Sequence, residues 1–148
     1  MDGRDMEGTS TSGGLPRLAR RLLAPAPVRW IALLALCGAY LQGGFNKAVD
    51  FPSAVAEMDH FGLAPAAPLA AAVIVLELGA SALILAGIYR WLGALALGAF
   101  TLAATFAANR FWEMALPERF AAANSFFEHL GLVGAFVLVA WHDLAHET

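Results

Sequence analysis

Four long apolar segments constrain the fold of this chain more than any other feature. They run over residues 28–45, 68–89, 91–108 and 124–141, and each holds 18 to 22 residues. At about 1.5 Å rise per residue, a helix of this length crosses the roughly 30 Å hydrocarbon core of a bilayer. The sequence therefore predicts an all-α fold, a four-transmembrane-helix bundle.

The composition agrees with a membrane environment. Of the 148 residues, 59% are hydrophobic and 14% are charged, whereas soluble domains carry about 25% charged residues. The net charge of −3 gives no indication of nucleic-acid binding. The single cysteine, Cys37, excludes an internal disulfide and a Cys-x-x-Cys redox pair.

Lysine and arginine are distributed unequally between the two sides of the predicted bundle. The N-terminal segment and the short turn at Arg90 carry six of them, and the opposite side carries three. Because cytoplasmic loops are enriched in these residues, we expect a multi-pass protein of the bacterial cytoplasmic (inner) membrane with both termini cytoplasmic. We expect the first span to be retained rather than cleaved as a signal peptide. The expected parts are a disordered cytoplasmic segment over 1–27, a transmembrane domain over 28–142 and a short cytoplasmic tail over 143–148.

The segment between the first and second spans shows helical periodicity. Phe51, Val55, Met58 and Phe61 recur at spacings of three and four residues, which places them on one face of a helix. Pro52 suits the first turn of such a helix. We predict a short amphipathic outer helix, with an ordinary surface loop as the alternative.

Glu77 lies near the middle of the second span, where its neighbours are apolar or small. A carboxyl group at the bilayer midplane costs about 2.5 to 3.5 kcal/mol on insertion scales, so a neighbour, a polar cavity or a proton must offset that cost. We expect Glu77 to be neutral or to exchange protons. An ion pair with Lys47 or Arg110 stays open, because both lie near the ends of their spans. The alternatives are hydrogen bonds with Gln42, Thr101, Ser81 or Tyr40.

Polar side chains recur four residues apart along the spans, and residues so spaced share a helix face. Because polar groups facing lipid are costly, we expect these stripes to face inward and to form a polar pocket that opens outward, with Glu77 at its floor. Purely structural hydrogen bonding between helices is the alternative. The candidates for ligand binding or proton exchange are Glu77, Gln42, Asn46, Lys47, Thr101, Thr105, Asn109, Glu128 and His129.

The histidines give little indication of a metal centre. His142 and His146 have the i, i+4 spacing that can hold a divalent metal, but a polar helix end has the same pattern, so we expect no metal site. A haem between spans needs two axial ligands at matching depth, and only His129 is partly embedded. Glu128 and His129 could relay protons, or could simply face water.

Several short motifs lie in and between the four spans. They are Arg29 before the first span, GFNKAVDF over 44–51, GLAP over 62–65, ELG over 77–79, GIYR over 87–90 and FFEHL over 126–130. Together they make residues 29–143 resemble the DoxX family of small four-span membrane proteins. The chain departs from the family's pattern at Glu128 and His129.

This resemblance implies a link to membrane redox chemistry, since members of the family are associated with a thiosulfate:quinone oxidoreductase and with oxidative-stress or detoxification complexes. We therefore expect a membrane subunit of a quinone-linked redox or detoxification system, with no intrinsic cofactor and with quinone as its ligand. A small proton-coupled transporter or lipid-binding protein is one alternative, and a purely structural or assembly subunit is another. Whether the chain is an enzyme stays open. The expected partners are the lipid bilayer, a membrane or peripheral redox protein, and further copies of this chain, but no nucleic acid.

Overall fold

The computed structural model describes residues 14–146, and most of this range is helical. Four of its helices are long and apolar enough to cross a membrane, counting α5 together with the short turn that follows it. The predicted all-α bundle of four spans is confirmed, and the chain is a multi-pass membrane protein. The helices are α1 (Gly14–Leu23), α2 (Ala26–Val49), α3 (Phe51–His60), α4 (Ala66–Ala86), α5 (Arg90–Ala108) and α6 (Glu118–His146), with a 3₁₀ turn at Phe111–Glu113.

The chain divides into two compact units. One extends to Ala32 and includes α1 and the first turns of α2, and the other begins at Leu33. Helix α1 lies in the segment 1–27 for which we expect disorder, so the structure differs from that expectation over Gly14–Leu23. Leucines alternate with arginines there at a spacing that suits an amphipathic helix. Residues 1–13 and residues 147–148 of the tail lie outside the described residues.

Helix α3 begins with a side-chain cap. Asp50 accepts hydrogen bonds from the Ser53 backbone N–H at 3.2 Å and from the Ser53 hydroxyl at 2.7 Å, and Pro52 occupies the first turn. These two hydrogen bonds favour the ionised carboxylate, so they hold the pKa of Asp50 below its usual value. The helix predicted between the first two spans is confirmed.

The predicted apolar face of α3 is buried at its centre and exposed at its two ends. Ala54 and Met58 are buried and pack with Ala70 of α4. Phe51 and Phe61, which we expect on the same face as Met58, are exposed. The small side chain of Ala54 lets α3 lie close to α4, and a ring at this position would hold the two helices apart.

A polar clamp joins the α4–α5 turn to α6. Gly87 ends α4 in the left-handed conformation, with φ of 74°. Arg90 then donates to the carbonyl of Ile84 at 3.1 Å and to Asp143 of α6 at 3.1 Å. The second oxygen of Asp143 accepts the backbone N–H of Trp91 at 3.0 Å, so this carboxylate caps the N-terminus of α5 from another helix.

The core lies where α4, α5 and α6 pack against one face of α2. Helices α4 and α5 approach most closely at Gly93, where an added Cβ would lie 2.6 Å from the carbonyl oxygen of Ala80. Only glycine fits this backbone contact. The buried apolar residues of this core are Leu33, Cys37, Tyr40, Ala80, Ile84, Ala94, Leu97, Phe136 and Ala140.

Candidate functional site

A second glycine contact brings α2 close to α4. A Cβ on Gly44 would lie 2.8 Å from Cγ of Leu78, so the two helices lie close together at this level. Lys47 follows Gly44 by one turn of the helix, and Glu77 precedes Leu78. Because of this close approach, a lysine near the end of one span can reach a carboxylate inside the next.

Glu77 forms an ion pair with Lys47. The Lys47 ammonium lies 3.3 Å from Oε1 and 3.4 Å from Oε2 of Glu77. Both distances exceed the 2.7 to 2.9 Å that is usual for such charge-assisted hydrogen bonds. Since an ammonium has three protons, Lys47 keeps donor capacity for another group. The sequence leaves this pair open, whereas Arg110, the other cation considered, pairs with Glu113 at 3.4 Å.

The Glu77 side chain is well shielded and that of Lys47 is largely so. Their exposed fractions are 6% and 19%. Together the two groups are electrically neutral, which lowers the cost of holding either charge in a membrane span. The ion pair therefore offsets the cost of placing the Glu77 carboxyl group inside a membrane span.

Tyr40 and Thr101 form a directed hydrogen-bond chain beside the pair. The Thr101 hydroxyl donates to the backbone carbonyl of Leu97 at 2.6 Å, and it lies 2.6 Å from the Tyr40 oxygen. A hydroxyl has one proton to donate, so the proton between the two side chains must come from Tyr40. The Tyr40 oxygen is left as a hydrogen-bond acceptor.

His129 approaches the same region from α6. Its Nδ1 lies 3.0 Å from the amide nitrogen of Asn109. An amide nitrogen only donates, so Nδ1 accepts and the neutral ring carries its proton on Nε2. Asn109 thus orients His129 as a donor through Nε2.

These groups surround a cavity of about 200 Å³. Lys47 and His129 carry hydrogen-bond donors, and Glu77 and Tyr40 carry acceptors. The Thr101 hydroxyl is bonded to the Leu97 carbonyl, and the rest of the wall is apolar. The lining residues are Ala39, Tyr40, Gly43, Lys47, Glu77, Phe100, Thr101, Ala104, His129 and Leu132.

An apolar groove of about 290 Å³ adjoins the cavity. The two share Lys47, Phe100 and Ala104 as lining residues, so they lie side by side along α5. A molecule with a polar ring and an apolar chain could therefore occupy both spaces at once. The other lining residues of the groove are Glu57, Met58, Phe61, Leu63, Val73, Ala103, Ala107 and Ala108.

The structure brings together four of the nine candidate residues at this cavity. Glu77, Lys47, Thr101 and His129 line it. Asn109 supports His129 through its side chain. What these residues bind, and whether they exchange protons, stays a prediction.

The other four candidates lie elsewhere. Thr105 is buried but donates its hydroxyl proton to the carbonyl of Thr101 at 2.6 Å, so its polar group is satisfied within its own helix. Gln42, Asn46 and Glu128 are exposed, and they line neither the cavity nor the groove. Their placement differs from the inward orientation that we expect for the polar stripes.

Tyr40 lines the cavity but is not among the nine candidates taken from the sequence. From the sequence it is only one of four alternative hydrogen-bond partners for Glu77. In the structure it is buried, lies edge-to-face with Phe136 at 5.4 Å between ring centroids, and lines the cavity. The signal was its spacing of three residues from Gly43 and seven from Lys47, which puts all three on one face.

Comparison with known proteins identifies a family for the part of the chain that holds most of this site. The DoxX family model matches residues 30–110. The matched range contains Tyr40, Lys47, Glu77 and Thr101 and ends before His129. No curated protein and no solved structure matches the chain at a significant level.

Proposed function

Because this chain belongs to the DoxX family, we propose that it is a membrane subunit of a quinone-linked redox or detoxification system. In this proposal the quinone ring occupies the cavity beside Lys47 and Glu77, and the protein lies in the bacterial inner membrane with both termini cytoplasmic. The observation that carries the proposal is the cavity itself. It combines donors with acceptors and adjoins an apolar groove.

The size of the cavity suits one substituted ring. An apolar cavity of about 150 Å³ in another protein is large enough for benzene. The cavity here measures about 200 Å³, which leaves room for ring substituents. The adjoining groove is lined mainly by alanine and larger apolar side chains, so it suits an isoprenoid or alkyl tail.

The polar groups match both oxidation states of the ring. Quinone carbonyls only accept hydrogen bonds, and Lys47 and His129 are the donors that face them. Quinol hydroxyls donate, and the acceptors are the Tyr40 oxygen and the Glu77 carboxylate. A site with both kinds of group can hold the ring before and after it is reduced.

Reduction of the ring takes up two electrons and two protons and gives the quinol. In this proposal a partner protein with a flavin or a dithiol supplies the two electrons. Lys47 and Glu77 take two protons in turn from water at the membrane surface and pass one to each ring oxygen. Catalysis of electron transfer therefore belongs to the complex, and the present chain supplies the quinone site.

The experiment compares two matched tryptophan variants. Leu132→Trp fills the cavity, whereas Leu138→Trp, on the same helix, places its ring at a position that is 65% exposed. Binding of a decyl-substituted benzoquinone to purified protein in nanodiscs is measured by equilibrium dialysis. We expect saturable binding to the wild type and Leu138→Trp, and at least a tenfold loss in Leu132→Trp. Equal binding by all three proteins would contradict the proposal.

The same protein preparations separate the other candidate functions. The buried Lys47–Glu77 pair also suits a small proton-coupled transporter, because an ionisable group inside a span is a common proton carrier. Proton-driven flux in proteoliposomes without quinone binding would favour that function. A stable partner complex that forms without either activity would favour a structural subunit.

A further inference from the structure

Helix α1 has two faces of opposite character. At about 100° per residue, Leu15, Leu18 and Leu22 fall within an arc of about 60°. Arg17, Arg20 and Arg21 fall on the opposite side, within an arc of about 100°. The segment contains no acidic residue, so its three positive charges are not neutralised within the helix.

The apolar face of α1 is uncovered. Leu15, Leu18 and Leu22 are 78%, 54% and 63% exposed. A row of leucines this exposed is unfavourable in water and marks an interaction surface. The three arginines of α1 have no acidic residue beside them in the helix, so they favour a partner that carries negative charge.

The start of the first span determines where α1 lies relative to the membrane surface. Only Ala24 and Pro25 separate α1 from α2. Arg29 and Trp30 follow within the first turns of α2, and Trp30 is 48% exposed. Tryptophan beside arginine is typical of the boundary between the lipid head groups and the acyl chains. The end of α1 therefore lies within a few residues of the membrane surface.

We propose that α1 lies in the surface of the bilayer, where its arginines bind anionic phospholipid head groups and its leucines insert among the acyl chains. A helix with a basic face and a leucine face is the usual form of such interfacial segments. The occupant of this surface is the lipid leaflet itself. The inference is independent of the quinone proposal, because it involves neither the cavity nor its residues.

Fluorescent labels on the two faces of α1 test this proposal in the full-length protein. In a Cys37→Ala background, one variant carries Leu18→Cys and its matched control carries Arg20→Cys. Both are reconstituted in nanodiscs with and without phosphatidylglycerol. With the anionic lipid, we expect brominated acyl chains to quench the label at position 18 and aqueous iodide to quench the label at position 20.

Removing positive charge from α1 should weaken its binding to the bilayer surface. Each arginine near an anionic surface raises the ratio of bilayer-bound to unbound helix by roughly fivefold. Replacing both Arg17 and Arg21 with Gln should therefore lower this ratio by about 25-fold. Acyl-chain quenching of the Leu18→Cys label measures the change. The same label should become accessible to iodide in discs of phosphatidylcholine alone. Equal quenching in both lipids would overturn recognition of anionic lipid. Protection from iodide without acyl-chain quenching would show that a protein covers the helix, which would overturn the proposal.

Discussion

The Lys47–Glu77 pair affects both the stability of the bundle and, in our proposal, the binding of its ligand. Each charge alone would be costly inside a span, and each depends on the other for its stability there. Breaking a buried pair by removing one partner costs about 3 to 5 kcal/mol, because the remaining charge loses its compensation. Removing both partners avoids that penalty. The stability of the fold and the binding of a ligand can therefore be separated at these two positions.

We predict that Glu77→Gln and Lys47→Gln each lower the free energy of unfolding by up to about 3 kcal/mol, since the pair is not completely shielded. The double variant should recover most of this loss, because both charges are absent. Thermal unfolding in detergent measures the stability of all three. Quinone binding should stay at least tenfold weaker in the double variant. A double variant as unstable as the sum of the single variants would contradict the coupling, and a stable double variant with wild-type binding would contradict the role in binding.

Tyr40→Phe tests the direction of the hydrogen bond to Thr101. The ring contact with Phe136 is kept, so we predict a stability loss of only about 1 kcal/mol. Quinol affinity should fall roughly fivefold, because quinol donates to the Tyr40 oxygen, while quinone affinity should change less than about twofold. Dialysis with each oxidation state measures both. Tyr89→Phe, at an exposed position, is the control, and an equal loss for both ligands would contradict the assignment.

At the scale of helices, the sequence predicts the spans well but their ends less well. Hydropathy marks only the part of a helix that lies in lipid. Helix α6 begins at Glu118 and ends at His146, beyond the predicted 124–141, because polar turns outside the apolar core continue the same hydrogen-bond ladder. The same reasoning applies to α2, which reaches Val49.

The orientation of α2 could not be derived from its own sequence. Gln42 and Asn46 form one polar stripe, and Tyr40 and Lys47 form another on a different face. Both patterns have helical spacing. The choice between them depends on Gly44, which allows α2 to approach α4 on the side of Tyr40 and Lys47. That contact involves a second helix, so no pattern within one span reveals it.

Glycine contacts between helices also make a prediction about stability. A methyl group at Gly93 would lie 2.6 Å from the backbone oxygen of Ala80, and a backbone atom cannot rotate away. We expect Gly93→Ala to lower the free energy of unfolding by about 1 to 3 kcal/mol. Gly131→Ala is the matched control, because no atom lies within 4 Å of the added Cβ apart from its chain neighbours and the backbone of its own helix. Equal stabilities of the two variants by thermal unfolding would show that the close approach of α4 and α5 is not required.

At the scale of the whole molecule, four spans place both termini on one side of the membrane. The distribution of lysine and arginine makes that side cytoplasmic in our proposal. We predict that Ala56→Cys in α3 reacts with a membrane-impermeant maleimide in intact cells. Ile88→Cys in the α4–α5 turn should react only in inverted vesicles. Both positions are exposed, and the native Cys37 is fully buried. Reversed labelling would contradict the orientation, and labelling of both from one side would contradict the number of spans between them.

In our proposal a quinone ring lies between α2, α5 and α6 beside the Lys47–Glu77 pair. Photo-crosslinking with a ring-azido quinone, followed by mass spectrometry of the labelled peptides, tests it most directly. We predict label on residues 39–47, 100–104 and 129–132, and we expect excess decyl-substituted benzoquinone to displace all of it. Label spread over lipid-facing residues such as Leu34, Val75 and Leu138, with no displacement by the competitor, would contradict it.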